Sequence, residues 1–425
     1  MASIVTSKFR VHNAQQFAES FSETSNTIMY LFIGKNTTFP DDNNPPTPVN
    51  STANIEFTPW RDMYAAKRIT TADVTHAVPR YDWTSGTVYD QYDDQDTNLL
   101  EDDFYAITED FNVYKCLFNA GATASTTKPT GVSTSPFTTA DGYIWKYMYT
   151  VTTAKALKFL TNDYMSVQKL DSDDGTDQWD VQQAAVDGGI HVVKVTSGGS
   201  GYGSAPAVTI TGDGTGATAN STITAGVVTA VTITAAGTGY TRASVAFASG
   251  AAAATAIISP KGGHGSDAVE ELGGKYIMLN VRLDGTESNT FSTANEFRQV
   301  GIVRDPYLYG TTTRAVASSF RQSFRYQLSS ISGTFTLDET ITSGSNTASV
   351  VEFTTPNLFT TLPLNLPFAN SASVTGATSA ASGTIAVIAT PGLQPYSGDI
   401  IYVENRVPIS RAADQIEDVK LIIQF

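Results

Sequence analysis

Four histidines, one cysteine, several acidic clusters and two glycine clusters are the parts of this chain whose residue types could do chemistry. His12, His76, His191 and His264 are far apart in sequence, and none belongs to an H-x-x-x-H pair. General-base work and metal binding both need two or more groups to converge. The spacing therefore predicts surface or loop histidines, with His264 in the glycine-rich turn KGGHGSD. The acidic segment DSDDGTDQWD (residues 171–180) approaches a calcium loop, which needs glycine at its sixth position and a closing glutamate. Here Gly175 comes one position early and no closing glutamate follows, so a solvated acidic loop is expected. The segments YDDQD (92–96) and EDD (101–103) read the same way. Carboxylate pairs for glycoside hydrolysis are set by spatial spacing, and no segment points to one. A phosphate cradle needs its glycines between a strand and a helix, whereas GGSGYG and GDGTG have strand-like flanks on both sides. Cys116, in VYKCLF, alternates onto an apolar strand face as a core residue. These residues predict no catalytic group, no metal and no cofactor, and hence a protein that is not an enzyme.

The elements that position such residues are mostly strands. Charged residues are only 16% of the 425, against roughly 25% in ordinary soluble domains. Thr, Ser, Ala and Gly fill the difference and favour short strands and turns. Hydrophobic residues at 41% are enough to bury real cores. The net charge of −15 repels phosphate backbones, which argues against direct nucleic-acid binding. Lys8 and Arg10 stand where a signal peptide needs an apolar run, so no export signal is expected. No stretch reaches the roughly 18 apolar residues of a membrane span. A single cysteine excludes an intramolecular disulfide framework and fits assembly in a reducing cytoplasm.

Charge is unevenly spread. Residues 188–265 hold only Lys194, Asp213, Arg242 and Lys261, and residues 331–395 hold only Asp338, Glu339 and Glu352. The expected fold is α+β and predominantly β. A discontinuous mixed framework domain is formed by both chain ends (1–187, 266–330 and 396–425), with two inserted small all-β modules, 188–265 and 331–395. The first module repeats itself: VKVTSGGSGYGSAPAVTI (193–210) is echoed by VTITAAGTGYTRASVAFA (231–248), each a strand, a G-x-G-Tyr turn and a strand. The glycines supply the positive φ of the turn, and Tyr202 or Tyr240 packs across it.

In the framework, helices are expected over 13–21, 58–68 (Trp60, Met63 and Tyr64 inward) and 153–160. Strands are expected over 27–33, 104–108, 112–118, 143–151, 276–283, 296–303, 400–404 and 419–425. Pro408 is expected to interrupt the strand before it.

Six segments carry a resemblance. IVTSKFR (4–10), VPRYDW (78–83), VYKCL (113–117), DGYIWKYMYTV (141–151), EFRQVGIVRDP (296–306) and YVENRVPISRAADQIEDVKLIIQF (402–425) occur in this order. Together they resemble the gene-eight-type baseplate wedge subunit of T-even-like contractile-tailed bacteriophages. The two low-charge modules look like additions to that shorter framework. The resemblance implies a homodimer built into each wedge beside other wedge proteins, located in the virion's tail baseplate, with no catalysis.

Beside the resemblance, LIIQF is expected to pair with framework strands, near the N-terminal IVTSKFR. Arg80 with Asp82, and Glu404 with Arg406, are placed to form charged contacts. Two readings stay open for these four: ion pairs that fix loops within the subunit, or intersubunit contacts. An alternative function is a receptor- or glycan-binding tail adhesin, with Tyr202, Tyr240 or Trp179 stacking on sugars. A third is a tail glycosidase using acidic pairs.

Overall fold

The computed structural model describes residues 3–23, 27–287, 289–365 and 367–425. Strands take 41% of it and helices 11%, which makes the chain α+β and predominantly β. It divides into two compact units. One comprises Met1–Gln16, Thr75–Met278 and Ile422–Phe425; the other comprises Phe17–Val74 and Leu279–Leu421.

The first unit is built on an antiparallel sheet in the order Tyr105–Ile107, Asn112–Phe118, Ile144–Thr150, Phe137–Thr138. Successive side chains point to opposite faces. Val113, Leu117 and Met148 enter one core, while Tyr114, Cys116, Trp145 and Tyr147 enter another. Strand Ile190–Ser197 leads the chain away, and Ala253–Ile258 brings it back with Ile190 opposite Ile258. Between them Val208–Gly212 pairs with Ala243–Phe247, and Thr215–Thr224 with Val227–Thr238.

The sequence repeat of this module is also a backbone repeat. Gly199 and Gly201 have φ of 61° and 80°, and Gly237 and Gly239 have 63° and 76°. L side chains disfavour that region. After each turn the tyrosine ring settles on a distant glycine. A Cβ on Gly250 would lie 2.3 Å from Tyr202 Oη, and one on Gly214 would lie 2.5 Å from the Tyr240 ring. Tyr202 Oη accepts from Ala252 N at 2.9 Å, and Tyr240 Oη from Ala217 N at 3.4 Å.

The second unit holds a five-stranded antiparallel sheet in the order Ser319–Arg321, Met63–Ile69, Met29–Gly34, Phe297–Arg304, Asp399–Ile409. It also holds a closed six-stranded barrel: Phe324–Ser332, Asn357–Thr360, Asn346–Thr354, Thr340–Ser343, Ser373–Gly376 and Ser382–Ala389. Phe324, Tyr326 and Leu328 fill the barrel core while Arg325 faces outward. The barrel therefore starts ahead of residue 331, because an outward arginine hides the apolar alternation. Glu339 holds one end. Its carboxylate accepts from Thr336 N, Thr378 N, Ser379 N and Ser379 Oγ. Burial pushes this carboxyl up, but the hydrogen bonds together hold it below its ordinary value.

Two expectations are corrected. Residues 58–68 are not one helix: a short helix, Thr58–Asp62, gives way to strand Met63–Ile69. Met63, Tyr64, Ala65 and Ala66 are fully buried between strands on both sides, and tertiary pairing overrides the local helical pattern. Pro408 does not end its strand, which runs over Asp399–Ile409. This is the edge strand of its sheet, and its register slips between the pairs Gln299↔Asn405 and Phe297↔Ile409, where a missing N–H is tolerated. The pairing of LIIQF with a framework strand is as expected: the terminal strand Ile416–Gln424 lies beside Tyr276–Asp284, and Phe425 N donates to Lys275 O. Residues 4–10 supply no strand beside it; they lead into helix Ser7–Glu19, with Ile4, Val5 and Phe9 exposed.

The seating of Tyr202 is testable. Gly250→Ala combines a left-handed backbone (φ 78°) with a ring clash, whereas Gly216→Ala meets nothing closer than 3.7 Å at φ 81°. The first should cost about 3 kcal/mol and the second about 1 kcal/mol in urea unfolding. Equal losses would contradict the packing described.

Candidate functional site

A buried gathering of ionisable side chains lies inside the first unit. On strand Asn112–Phe118, Lys115 shares a face with Val113 and Leu117 and points into their core, while its neighbours Tyr114 and Cys116 enter the core on the opposite face. Its cross-strand partner is Lys146 on Ile144–Thr150. Both lysines are buried. Lys115 Nζ meets Glu271 Oε2 at 2.6 Å, with side-chain exposures of 0% and 2%. The Tyr92 ring centroid lies 4.2 Å from the same ammonium. Lys146 Nζ donates to Thr134 O.

Glu271 is aimed by a single helical turn, Ala268–Glu271. Asp267 caps it, accepting from Val269 N and Glu270 N. Glu271 Oε1 reaches back to accept from Gly265 N at 2.7 Å and Asp267 N at 3.2 Å. This closure resembles a capping box whose returning carboxylate comes one residue late, from Glu271 rather than from Glu270 at the third helical position.

Two histidines complete the group, which corrects the expectation of scattered surface histidines. His264 is 5% exposed, its ring 5.5 Å from His191 and 4.8 Å from Tyr92. Its Nδ1 lies 4.0 Å from Glu271 Oε2 and has no hydrogen-bond partner among the described residues. His76 instead bonds Gly274 O through Nδ1, and His12 is exposed. The glycines around His264 do not leave it in solvent; they let the returning chain press against the framework, since a Cβ on Gly265 would meet Val181 and Lys146.

The electrostatics follow from burial. Burial, then the charges of Lys146 and Lys115, brings His191 down to about 4. Burial and the two lysines, with His191, also hold His264 neutral. Lys146 is brought down to about 8, chiefly by burial, with Glu271 opposing and Lys115 adding to the shift. Burial lowers Lys115, and Glu271 opposes it. Depressed lysines beside neutral imidazoles are the raw material of base catalysis. However, only Tyr92 and Glu271 reach the wall of the adjoining cleft of about 290 Å³. What the group does physically is bind the chain returning at residues 264–271 to strands entered at 115 and 146.

The acidic segment 92–103 joins this fastening and is more than a solvated loop. Asp93 pairs with Lys194 at 3.2 Å, and Asp94 accepts from Ile258 N, so it grips both the outgoing and the returning strand. Residues 171–176 stay exposed, and Asp173 and Asp174 bond the N–H groups two residues on. Among the described residues, no three His, Cys, Asp or Glu side chains gather to hold a metal. Cys116 is buried.

Arg80 Nε donates to Asp82 Oδ1 at 2.9 Å, and its Nη1 to Thr161 O at 2.7 Å, so the pair spans two loops of the first unit. In the second unit Arg406 forks onto Glu404 at 2.7 and 3.2 Å and also reaches Lys420 O, while Tyr402 Oη donates to Glu404. Tyr202 and Tyr240 are buried and offer no sugar platform; Trp179 is half-buried. No protein-family model matches this chain, and no curated protein matches it.

Two outcomes are expected. Glu271→Gln strands a buried ammonium and should cost about 3–5 kcal/mol in urea unfolding; adding Lys115→Met should recover at least half. Because His191 is neutral in the fold down to about pH 4 and charges near 6.5 when unfolded, the unfolded state binds more protons between those values. Stability should fall on acidification through that window, by up to about 1.4 kcal/mol per pH unit for one histidine. His191→Gln should flatten the slope; an unchanged pH profile would refute the assignment.

Proposed function

We propose that this chain is a structural subunit of a phage tail baseplate wedge, working by binding neighbouring proteins rather than by catalysis. It would act as a homodimer held among other wedge proteins, assembled in the host cytoplasm and carried in the virion's tail baseplate. The six resembling segments motivate the reading.

The observation that carries it is an exposed apolar margin at the C-terminal segment. Tyr396 and Phe57 are each about half exposed and meet edge to face at 5.6 Å. Tyr396 holds this position at φ 63°, an unusual conformation for a bulky residue. Beside it in sequence runs edge strand Asp399–Ile409, with Ile401 and Val407 exposed and Phe297–Arg304 as its only strand neighbour among the described residues. Exposed aromatics beside an open strand edge are the usual substance of protein interfaces.

Light scattering on the pure chain should give a dimer, and the chain should co-assemble with neighbouring wedge proteins. Phe57→Ser combined with Tyr396→Ser should weaken co-assembly at least tenfold without shifting the unfolding midpoint. A monomer that binds none of those proteins would sink the reading.

A further inference from the structure

A second feature of the second unit is unrelated to the exposed margin. Thr286, Asn289 and residues 291–294 line a cleft of about 620 Å³ together with the outer face of the six-stranded barrel. That volume suits a small molecule rather than a bare ion. The barrel side is a continuous row across four strands: Glu352 opposite Phe359, Phe359 opposite Arg325, and Arg325 opposite Ala389.

The segment Arg321-Gln-Ser323-Phe-Arg325 supplies the charge. Gln322 and Phe324 turn inward and are fully buried, so Arg321, Ser323 and Arg325 all present to the cleft. Arg321 is held flat: its guanidinium lies 4.2 Å from the Phe359 ring centroid, 3.3 Å from Glu352 Oε2, and donates to Asn289 O at 2.9 Å. Arg325 is exposed and forms no ion pair with any described residue. Two guanidinium groups against one carboxylate make this cleft positive in a chain of net charge −15.

Ser323 is the independent sign of a ligand. It is 3% exposed and lines the cleft, yet its Oγ has no hydrogen-bond partner among the described residues. A buried hydroxyl left unpaired is costly, and a ligand oxygen would relieve it. The remaining lining is rich in neutral hydrogen-bonding groups, Asn357 and Thr354 among them. A forked cation fits a planar carboxylate, and a ring of hydroxyl and amide groups fits a polyol.

We propose that this cleft binds a carboxylated sugar of mono- or disaccharide size. The carboxylate sits between Arg321 and Arg325, one oxygen accepting from Ser323 Oγ, and the sugar hydroxyls face Asn357, Thr354 and Glu352.

The test is calorimetric titration of the full chain with glucuronate, galacturonate and N-acetylneuraminate, using glucose and acetate as controls. At least one acid sugar should bind at least tenfold more tightly than either control. Arg325→Gln, at an exposed position, should weaken it tenfold or more with an unchanged unfolding midpoint, and Ser323→Ala should weaken it several-fold. Acetate binding as well as the acid sugar would reduce the cleft to an anion site and overturn the proposal. So would equal binding of glucose, no binding of any of the three acids, or an Arg325→Gln variant that binds normally.

Discussion

A lysine ammonium with no solvent contact must have an anion brought to it, and that requirement governs the first unit. Lys115 comes early on a framework strand, and its carboxylate, Glu271, arrives only after the chain has built an entire β-module and returned. Removing two charges from water is unfavourable unless the geometry is good and the remaining valences are filled. Here they are filled by Gly265 and Asp267 N–H groups and by the Tyr92 ring. The module therefore cannot drift in register at its base without leaving a buried ammonium unmatched.

Three of the few charges that the two modules retain reach outward in the same way. Lys194 meets Asp93 of the framework, Glu352 meets Arg321, and Asp338 accepts from Asn36 and Asn295. Asp213 and Glu339 instead close turns of their own module. An almost uncharged β-module has few ways to specify where it docks, since apolar contact is non-directional. A lone ion or carboxylate in such a sequence marks the points where direction is needed.

Much of the fold was legible because its cause is local. Strand Asn112–Phe118 was read with its observed bounds, since its run of strand-favouring apolar residues has no competing helical pattern. The paired G-x-G-Tyr turns were legible because only glycine enters their backbone region cheaply. What sequence hid was set by partners far along the chain. Met63–Ile69 has a helical pattern yet sits inside a sheet, and Pro408 is tolerated only because its strand is an edge. His191 and His264 are 5.5 Å apart across a whole module, a closeness no spacing rule reports. One signal was present: Lys115 and Lys146 each interrupt an otherwise apolar strand, and such a charge implies an unseen partner.

The antiparallel union of Ile190–Ser197 with Ala253–Ile258 has a mechanical consequence. Entry and exit meet at one place, Ile190 beside Ile258, and Asp93 and Asp94 brace both strands there. A tug anywhere on the module is thus delivered to the framework through two backbones at nearly a single point. The two paired backbones share that load across their ladder, so neither strand carries it alone.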